Sequence, residues 1–341
     1  MKRSTILYML LMLLVAASCR KTNLTVEQER NNEIRSAGDF IRNNYDLSLL
    51  AAALQQTGYM DSLNAADKLF TIWAPDNKAF NNIGIKYASD FRSMNTDSLR
   101  IAVKNLILPN RLYISDLPSQ MDNIYTGLGG GPLYISVVVQ GKNADAFRVS
   151  VSGCDVYDAP KRNIALRNGV LHVLQSVPKY IGINIQDFIT ADTSLTLFAQ
   201  LMKKSGQWDA LKTVQPLTVY APRNDVFLNY SLTADSINRL DVKRYKPVAF
   251  SIYTLALGQH HLFSNDLQLA GGANDRLLID GYGIAPGKTI AIWAPNGRWG
   301  YHGPSDIGMA GGDAGKDFLL TNGVLHRINN IMLYPDSLLI K

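Results

Sequence analysis

Few residues in this chain are equipped to do chemistry. Of its five histidines, His172 and His326 share one five-letter context, NGVLH, at Asn168–His172 and Asn322–His326; the others are His260, His261 and His302. Imidazole is the side chain best suited to moving a proton near neutral pH or to ligating a transition metal. Neither NGVLH histidine has a second His, Cys or carboxylate at ligand spacing, and both lie among apolar residues. The spacing therefore predicts buried rings bonded to backbone, not bases or metal ligands. On a strand, the adjacent His260 and His261 would point to opposite faces and could not chelate one ion.

The remaining candidates fail one by one. Cys154 has no cysteine partner except Cys19 near the start, so it reads as a small buried strand residue. GGDAGKD (Gly311–Asp317) lacks a phosphate loop's first glycine, which would be Ala310, and has Asp317 where a magnesium-binding Ser or Thr belongs. Ala314 breaks the calcium-binding glycine pattern in the same stretch. GLGGGP (Gly127–Pro132) and GYGIAP (Gly281–Pro286) begin as GxG but end in proline, and GxSxG does not occur. A non-enzyme follows, with no metal and no cofactor.

NGVLH closes a larger co-linear duplication. FTIWAPDNKAF (Phe70–Phe80) returns as LTVYAPRNDVF (Leu217–Phe227), and Asp39-Phe40-Ile41 returns as Asp187-Phe188-Ile189. Leu49, Leu54, Gly58, Asp61 and Leu63 match Leu197, Met202, Gly206, Asp209 and Leu211, and Asp116-Leu117 matches Asp266-Leu267. Each copy has the size of a domain. In each, an amphipathic helix containing Leu50 or Phe198 should end at Gly58 or Gly206. A strand follows at Phe70–Ala74 or Leu217–Ala221, stopped by Pro75 or Pro222, which have no N–H to donate. Asp76-Asn77 and Arg223-Asn224 then read as turn or cap residues ahead of short helices carrying Phe80 and Phe227.

Further helices are expected at Thr96–Leu106, capped by Asp97 or Ser98, and at Thr233–Tyr245. Strands are expected at Leu133–Gln140, Ala146–Ser152, Leu277–Ile279 and Thr289–Trp293. Asn168-Gly169 reads as a turn dipeptide tolerating positive φ, leading into a central strand that is apolar on both faces. Asp-Ser-apolar triplets begin at Asp61, Asp97, Asp235 and Asp336. They read as helix starts with a buried third residue, and they also resemble O-glycan acceptor triplets of some exported Gram-negative proteins.

The first residues are a leader. Lys2 and Arg3 precede an apolar run from Ile6 to Ala17, too short to span a bilayer, which ends in VAASC. That ending resembles the lipobox of bacterial lipoproteins, which implies a signal peptide over residues 1–18 and acylation of Cys19. Residues 19–35 form a polar tether with a reach of roughly 20 Å. The net charge of +6 includes Lys2 and Arg3 and is spread without a basic block, which excludes nucleic acid as a partner. With 47% hydrophobic residues the chain can rest on apolar cores without disulfides.

The pairing of an FTIWAPDNKAF-type block with a later NGVLH block resembles the fasciclin (FAS1) domain family, in two copies at residues 36–181 and 182–341. The resemblance implies an α+β fold, each domain a β-wedge or sandwich with packed helices. It also implies that the signature residues are structural: Thr71, Ala74, Pro75, Asn77, Phe80, Asn168, Gly169 and His172, and Thr218, Ala221, Pro222, Asn224, Phe227, Asn322, Gly323 and His326. The Tyr-His dipeptide linked to integrin-type adhesion in animal relatives is missing; Asn105-Leu106 stands in its region of copy one. The expected role is surface contact (adhesion, or matrix or envelope interaction) by a lipoprotein anchored in the cell envelope at the outer membrane. A protein or glycan would be its partner. The alternative is a non-catalytic carbohydrate- or nutrient-binding accessory. In the second copy, Trp299, Tyr301 and His302, in a glycine-rich stretch, are the candidate ligand contacts.

Overall fold

Phe70–Pro75 combines aromatic and β-branched residues, a composition that favours an extended chain. Every residue of it is buried, so the strand is central. The structure, a computed structural model, describes residues 34–139, 147–255, 261–269, 277–279, 282–285, 291–293, 315–332 and 338–340. In the first half the strands are β1 (Phe70–Pro75), β2 (Ile107–Leu108), β3 (Asn123–Thr126) and β4 (Pro132–Val139). They continue with β5 (Phe147–Val151), β6 (Cys154–Asp155), β7 (Ile164–Leu166) and β8 (Gly169–Leu174). One sheet has the order β2-β1-β8-β7 and the other the order β3-β4-β5-β6. The fold is a mixed α+β arrangement.

The second half repeats the first sheet. It comprises β10 (Leu217–Pro222), β11 (Thr254–Leu255), β12 (Leu277–Ile279), β13 (Tyr282–Ala285), β14 (Ala291–Trp293), β15 (Phe318–Leu320) and β16 (Gly323–Ile328), and β9 (Lys179–Tyr180), the last strand of the first half, pairs with β15. Its main sheet runs β11-β10-β16-β15-β9, and β12-β13-β14 form a separate sheet. β1 and β8 are parallel from Phe70↔Gly169 to Pro75↔Leu174. β10 and β16 keep the same register, from Leu217↔Gly323 to Pro222↔Ile328. Ser36–Lys341 is one compact unit containing both halves.

The glycine of NGVLH is explained by close approach. A Cβ on Gly169 would strike the carbonyl oxygen of Phe70, and one on Gly323 would strike that of Leu217. Asn168 lies in the two-residue turn between β7 and β8, as the dipeptide reading expects, but it is not at positive φ. Instead its side chain is buried: Asn168 Oδ1 accepts from Ala37 N–H (2.9 Å), and Nδ2 donates to the carbonyls of Leu63 (2.8 Å) and Ala65 (3.0 Å). Asn322 does the same with Ile185 N–H (2.9 Å) and the carbonyls of Leu211 (3.0 Å) and Val214 (3.2 Å). Each amide ties the entry to the core strand to the first helix of its half and to the short helical turn, Asp61–Asn64 or Ala210–Thr213, further along the chain.

The helices follow their apolar spacing. Ser48–Gln56 buries Leu49, Leu50, Ala51, Ala53 and Leu54. It stops at Gly58 (φ 69°), where Gly58 N–H bonds Gln55 O and Tyr59 N–H bonds Leu54 O, the two bonds of a Schellman cap. Thr196–Lys204 stops identically at Gly206 (φ 76°). Thr96–Asn105 is helical, but its cap is Asn95, which accepts from Ser98 N–H, in place of the expected Asp97 or Ser98. The helix expected over Thr233–Tyr245 breaks after Arg239, where Leu240 is extended, and resumes as a 3-10 turn at Val242–Arg244. In the Asp-Ser-apolar triplets the third residues Leu63, Leu99, Ile237 and Leu338 are all buried; the first three triplets open helical segments, and Asp336 and Ser337 lie outside the described residues.

Because each asparagine satisfies three buried backbone groups, Asn168→Ala or Asn322→Ala should cost about 2–4 kcal/mol. Denaturant titration should show the loss in the half that carries the substitution. An unchanged midpoint would show that these amides are not structural.

Candidate functional site

The signature residues of both copies turn inward. Thr71 Oγ1 donates to Asn110 O (2.6 Å) and accepts from Leu112 N–H (2.9 Å), while His172 Nε2 donates to Leu112 O (3.1 Å). His172 Nδ1 accepts from Asn163 N–H (3.2 Å), which places the ring proton on Nε2. The second copy repeats the clamp on Leu262: Thr218 Oγ1 accepts its N–H (3.1 Å) and His326 Nε2 donates to its carbonyl (2.9 Å). There Nδ1 accepts from Asp317 N–H (3.1 Å). Each ring stacks on the aromatic of the neighbouring strand, His172 on Trp73 at 4.5 Å and His326 on Tyr220 at 5.2 Å. Both rings are 0% exposed.

The other signature positions are equally committed. Asn77 Oδ1 accepts from Leu49 N–H and Nδ2 donates to Tyr45 O; Asn224 does the same with Leu197 and Thr193. Ala74, Ala221, Phe80 and Phe227 are buried, and Pro75 and Pro222 end their strands. Trp299, Tyr301 and His302, and likewise Cys19, lie outside the described residues.

What the structure assembles, and the motifs did not reveal, is a junction between the halves. The helix Ser264–Leu269 of the second half packs on β4 and β5 of the first. His261 N–H donates to Asp122 Oδ2 (2.8 Å), and its Nδ1 lies 3.1 Å from the same oxygen while its ring sits 3.9 Å from that of Tyr134. Asn265 Nδ2 donates to Gly153 O (2.9 Å), and Lys179 Nζ donates to Lys316 O (2.9 Å). Asp317 accepts from both the N–H and the hydroxyl of Ser264, each at 2.7 Å. Phe263, Leu319 and Val324 form a small apolar cluster that Tyr134 of the first half packs against.

Beside this junction lies a cleft of about 550 Å³. Its walls come from the helix Asn77–Asn82, from β6, from the segment Gln175–Lys179, and from Asn265, Lys316 and Asp317 of the second half. No signature position lines it. Lys316 and Asp317 belong to the GGDAGKD stretch, whose phosphate-loop chemistry is absent. The other lining residues come from separate elements, and no local pattern announces them.

The chemistry on offer is recognition. Burial pushes the Cys154 thiol up to about 12, so it stays protonated and is a poor nucleophile. Burial lowers His172 to about 4 and lowers His326 as well, leaving both rings neutral. Asp266 is pushed up to about 7, first by burial and then by the nearby Asp122 and Asp317 carboxylates. Among the described residues no group of three His, Cys, Asp or Glu could hold a metal ion.

The histidine shifts set a pH dependence. A folded-state value below the usual 6.5 means the ring's contribution is present above pH 6.5 and is lost as pH falls towards about 4. For His172 the loss is on the order of 3 kcal/mol across that window. His172→Gln should remove this part of the acid sensitivity in thermal unfolding followed from pH 7 to pH 4. A variant as acid-sensitive as the wild type would refute the assignment.

The chain is similar to known proteins. Human periostin is 27% identical over 274 residues, covering 79% of this chain; the chain spans 28% of periostin's length. A solved FAS1 domain pair from the insect cell adhesion molecule fasciclin I is 17% identical, covers 86% of this chain and 98% of its own, and superposes with a TM-score of 0.35. Residues 45–177 match the profile described as "Fasciclin domain", and this part of the chain is similar to the fasciclin (FAS1) family.

Proposed function

We propose that this chain is an exported lipoprotein, anchored through Cys19 at the outer membrane, whose two fasciclin-like domains (residues 36–181 and 182–341) act by non-catalytic surface contact. One observation carries the reading. In both copies the polar side chains of the signature bond to backbone inside the fold, so the signature builds a scaffold and leaves the exposed surface for partners. Similarity to fasciclin domains over residues 45–177 supports adhesion as the form of that contact. Trp299, Tyr301 and His302 are the proposed contacts for a protein or glycan partner, since aromatic rings supply much of the binding energy in such surfaces. Among the described residues no helix is long and apolar enough to cross a membrane, and the proposed attachment is the lipid. The cleft between the halves favours a second reading, capture of a carbohydrate or nutrient.

Binding of the purified protein to intact cells and to matrix preparations tests the contact reading. Trp299→Ala/Tyr301→Ala should weaken it about tenfold or more without lowering the melting temperature; undiminished binding would discard these contacts. The anchor is tested separately. Cys19→Ala should leave the membrane fraction or retain its leader, and should lose fatty-acid label. Wild-type fractionation and labelling in that variant would remove the lipoprotein assignment.

A further inference from the structure

We infer that the end of the first half at which the chain enters the fold is a membrane-docking face, with Lys68, Arg111 and Arg167 set against acidic phospholipid headgroups and Leu69 placed between them. The inference rests on the lipoprotein reading, which puts a bilayer within reach, and does not depend on adhesion.

Placement comes first. Ala37 N–H donates to Asn168 Oδ1 (2.9 Å), so the first helix starts against the residue that follows Arg167. Phe70 of β1 pairs with Gly169 of β8, and Lys68 and Arg167 each stand two residues before that pair. Arg111 Nη2 donates to the carbonyl of Arg167 (3.2 Å), which brings the third cation to the same end. All three are exposed, and Leu69 is 48% exposed. The four residues come from three separate segments, so no basic block in the sequence announces them.

Charge selects the partner. Lys68, Arg111 and Arg167 make no ion pair among the described residues. Asp39 and Asp61, near the entry, are taken up by Arg42 at 3.5 Å and 2.9 Å. Asp67, next to Lys68, offsets one of the three positive charges. Each uncompensated Lys or Arg close to an acidic leaflet strengthens partitioning about fivefold. An exposed leucine adds apolar burial at the interface. Such a face binds modestly by itself, but a tether of roughly 20 Å makes docking an intramolecular step at high effective concentration.

The second half has the same frame without the charge. Its equivalents of Lys68 and Arg167 are Gln215 and Thr321, each two residues before the Leu217↔Gly323 pair. His261 precedes Leu262 as Arg111 precedes Leu112, and it is turned into the junction, where its N–H bonds Asp122. The second half keeps its register without these cations, so the frame does not require them. They are confined to the half that follows the tether, at the end where the chain enters the fold.

The test is co-sedimentation with vesicles of the chain from residue 19 onward carrying Cys19→Ser, which removes leader and lipid and leaves the compact unit Ser36–Lys341 whole. Vesicles of phosphatidylglycerol mixed with phosphatidylcholine should bind it at least about tenfold more strongly than pure phosphatidylcholine, and added salt should weaken that binding. Lys68→Glu/Arg167→Glu should lower binding to the acidic vesicles about twentyfold or more at an unchanged melting temperature. Lys212→Glu/Arg239→Glu, an equal change of net charge at exposed positions of the second half, should leave it at the level of the parent chain. No preference for acidic vesicles, or equal losses in the two double variants, would overturn the inference. Heparin binding of equal strength, abolished by Lys68→Glu/Arg167→Glu, would assign the face to a soluble polyanion and overturn it as well. Fatty-acid labelling of the wild type tests the anchor on its own. Vesicle binding without labelling would keep the face and remove the lipoprotein reading, whereas labelling without vesicle binding would do the reverse.

Discussion

The structure depends on pairing two parallel strands that are far apart in the chain. Parallel neighbours cannot be joined by a tight turn, so the chain leaves β1, builds the rest of the half and returns to lay β8 beside it. Fixing one register across so long an excursion is entropically expensive, and buried polar side chains stabilise the return. Thr71 and His172 stand on the two adjacent strands and grip the two ends of one residue, Leu112, by its N–H and its carbonyl. Thr218 and His326 grip Leu262 in the same way. Asn168 and Asn322 add a second clamp, to the first helix of each half. A conserved register and a repeated clamp are what the duplicated letters encode.

Much of this was legible beforehand, for identifiable reasons. Strand β1 is a run of β-branched and aromatic residues, and the helix Ser48–Gln56 carries apolar spacing with a glycine stop. The burial of His172 and His326 followed from their apolar neighbours and from the lack of a second ligand at usable spacing. The role of Asn168 was not legible. The Asn-Gly pair signals the local turn that precedes β8, but not that its amide also reaches residues more than a hundred positions away. The break at Leu240 was also hidden, because Val242 and Tyr245 still pack on the second half's core after the helix has ended.

The junction was invisible to sequence because it arises from docking and not from a motif. Asp116 and Asp266 occupy equivalent places, each accepting from a backbone N–H three residues earlier. Asp116 is exposed, while Asp266 is 1% exposed because its helix is pressed onto the sheet of the first half. The same residue type thus keeps its local capping role in both halves. At Asp266, burial at the junction raises the pKa, as desolvation disfavours the ionised carboxylate. The two halves become chemically unequal through the surface they share, and the cleft lies beside that surface.

The central claim is that the signature histidines are neutral structural clamps with their proton on Nε2. Long-range ¹H–¹⁵N correlation spectra of the imidazole rings test it most directly, because the two nitrogens report both tautomer and charge. The account predicts that His172 and His326 each show a protonated Nε2 and an accepting Nδ1, with no titration between pH 8 and pH 6. A ring protonated on Nδ1, or one that titrates near the usual histidine value, would contradict it.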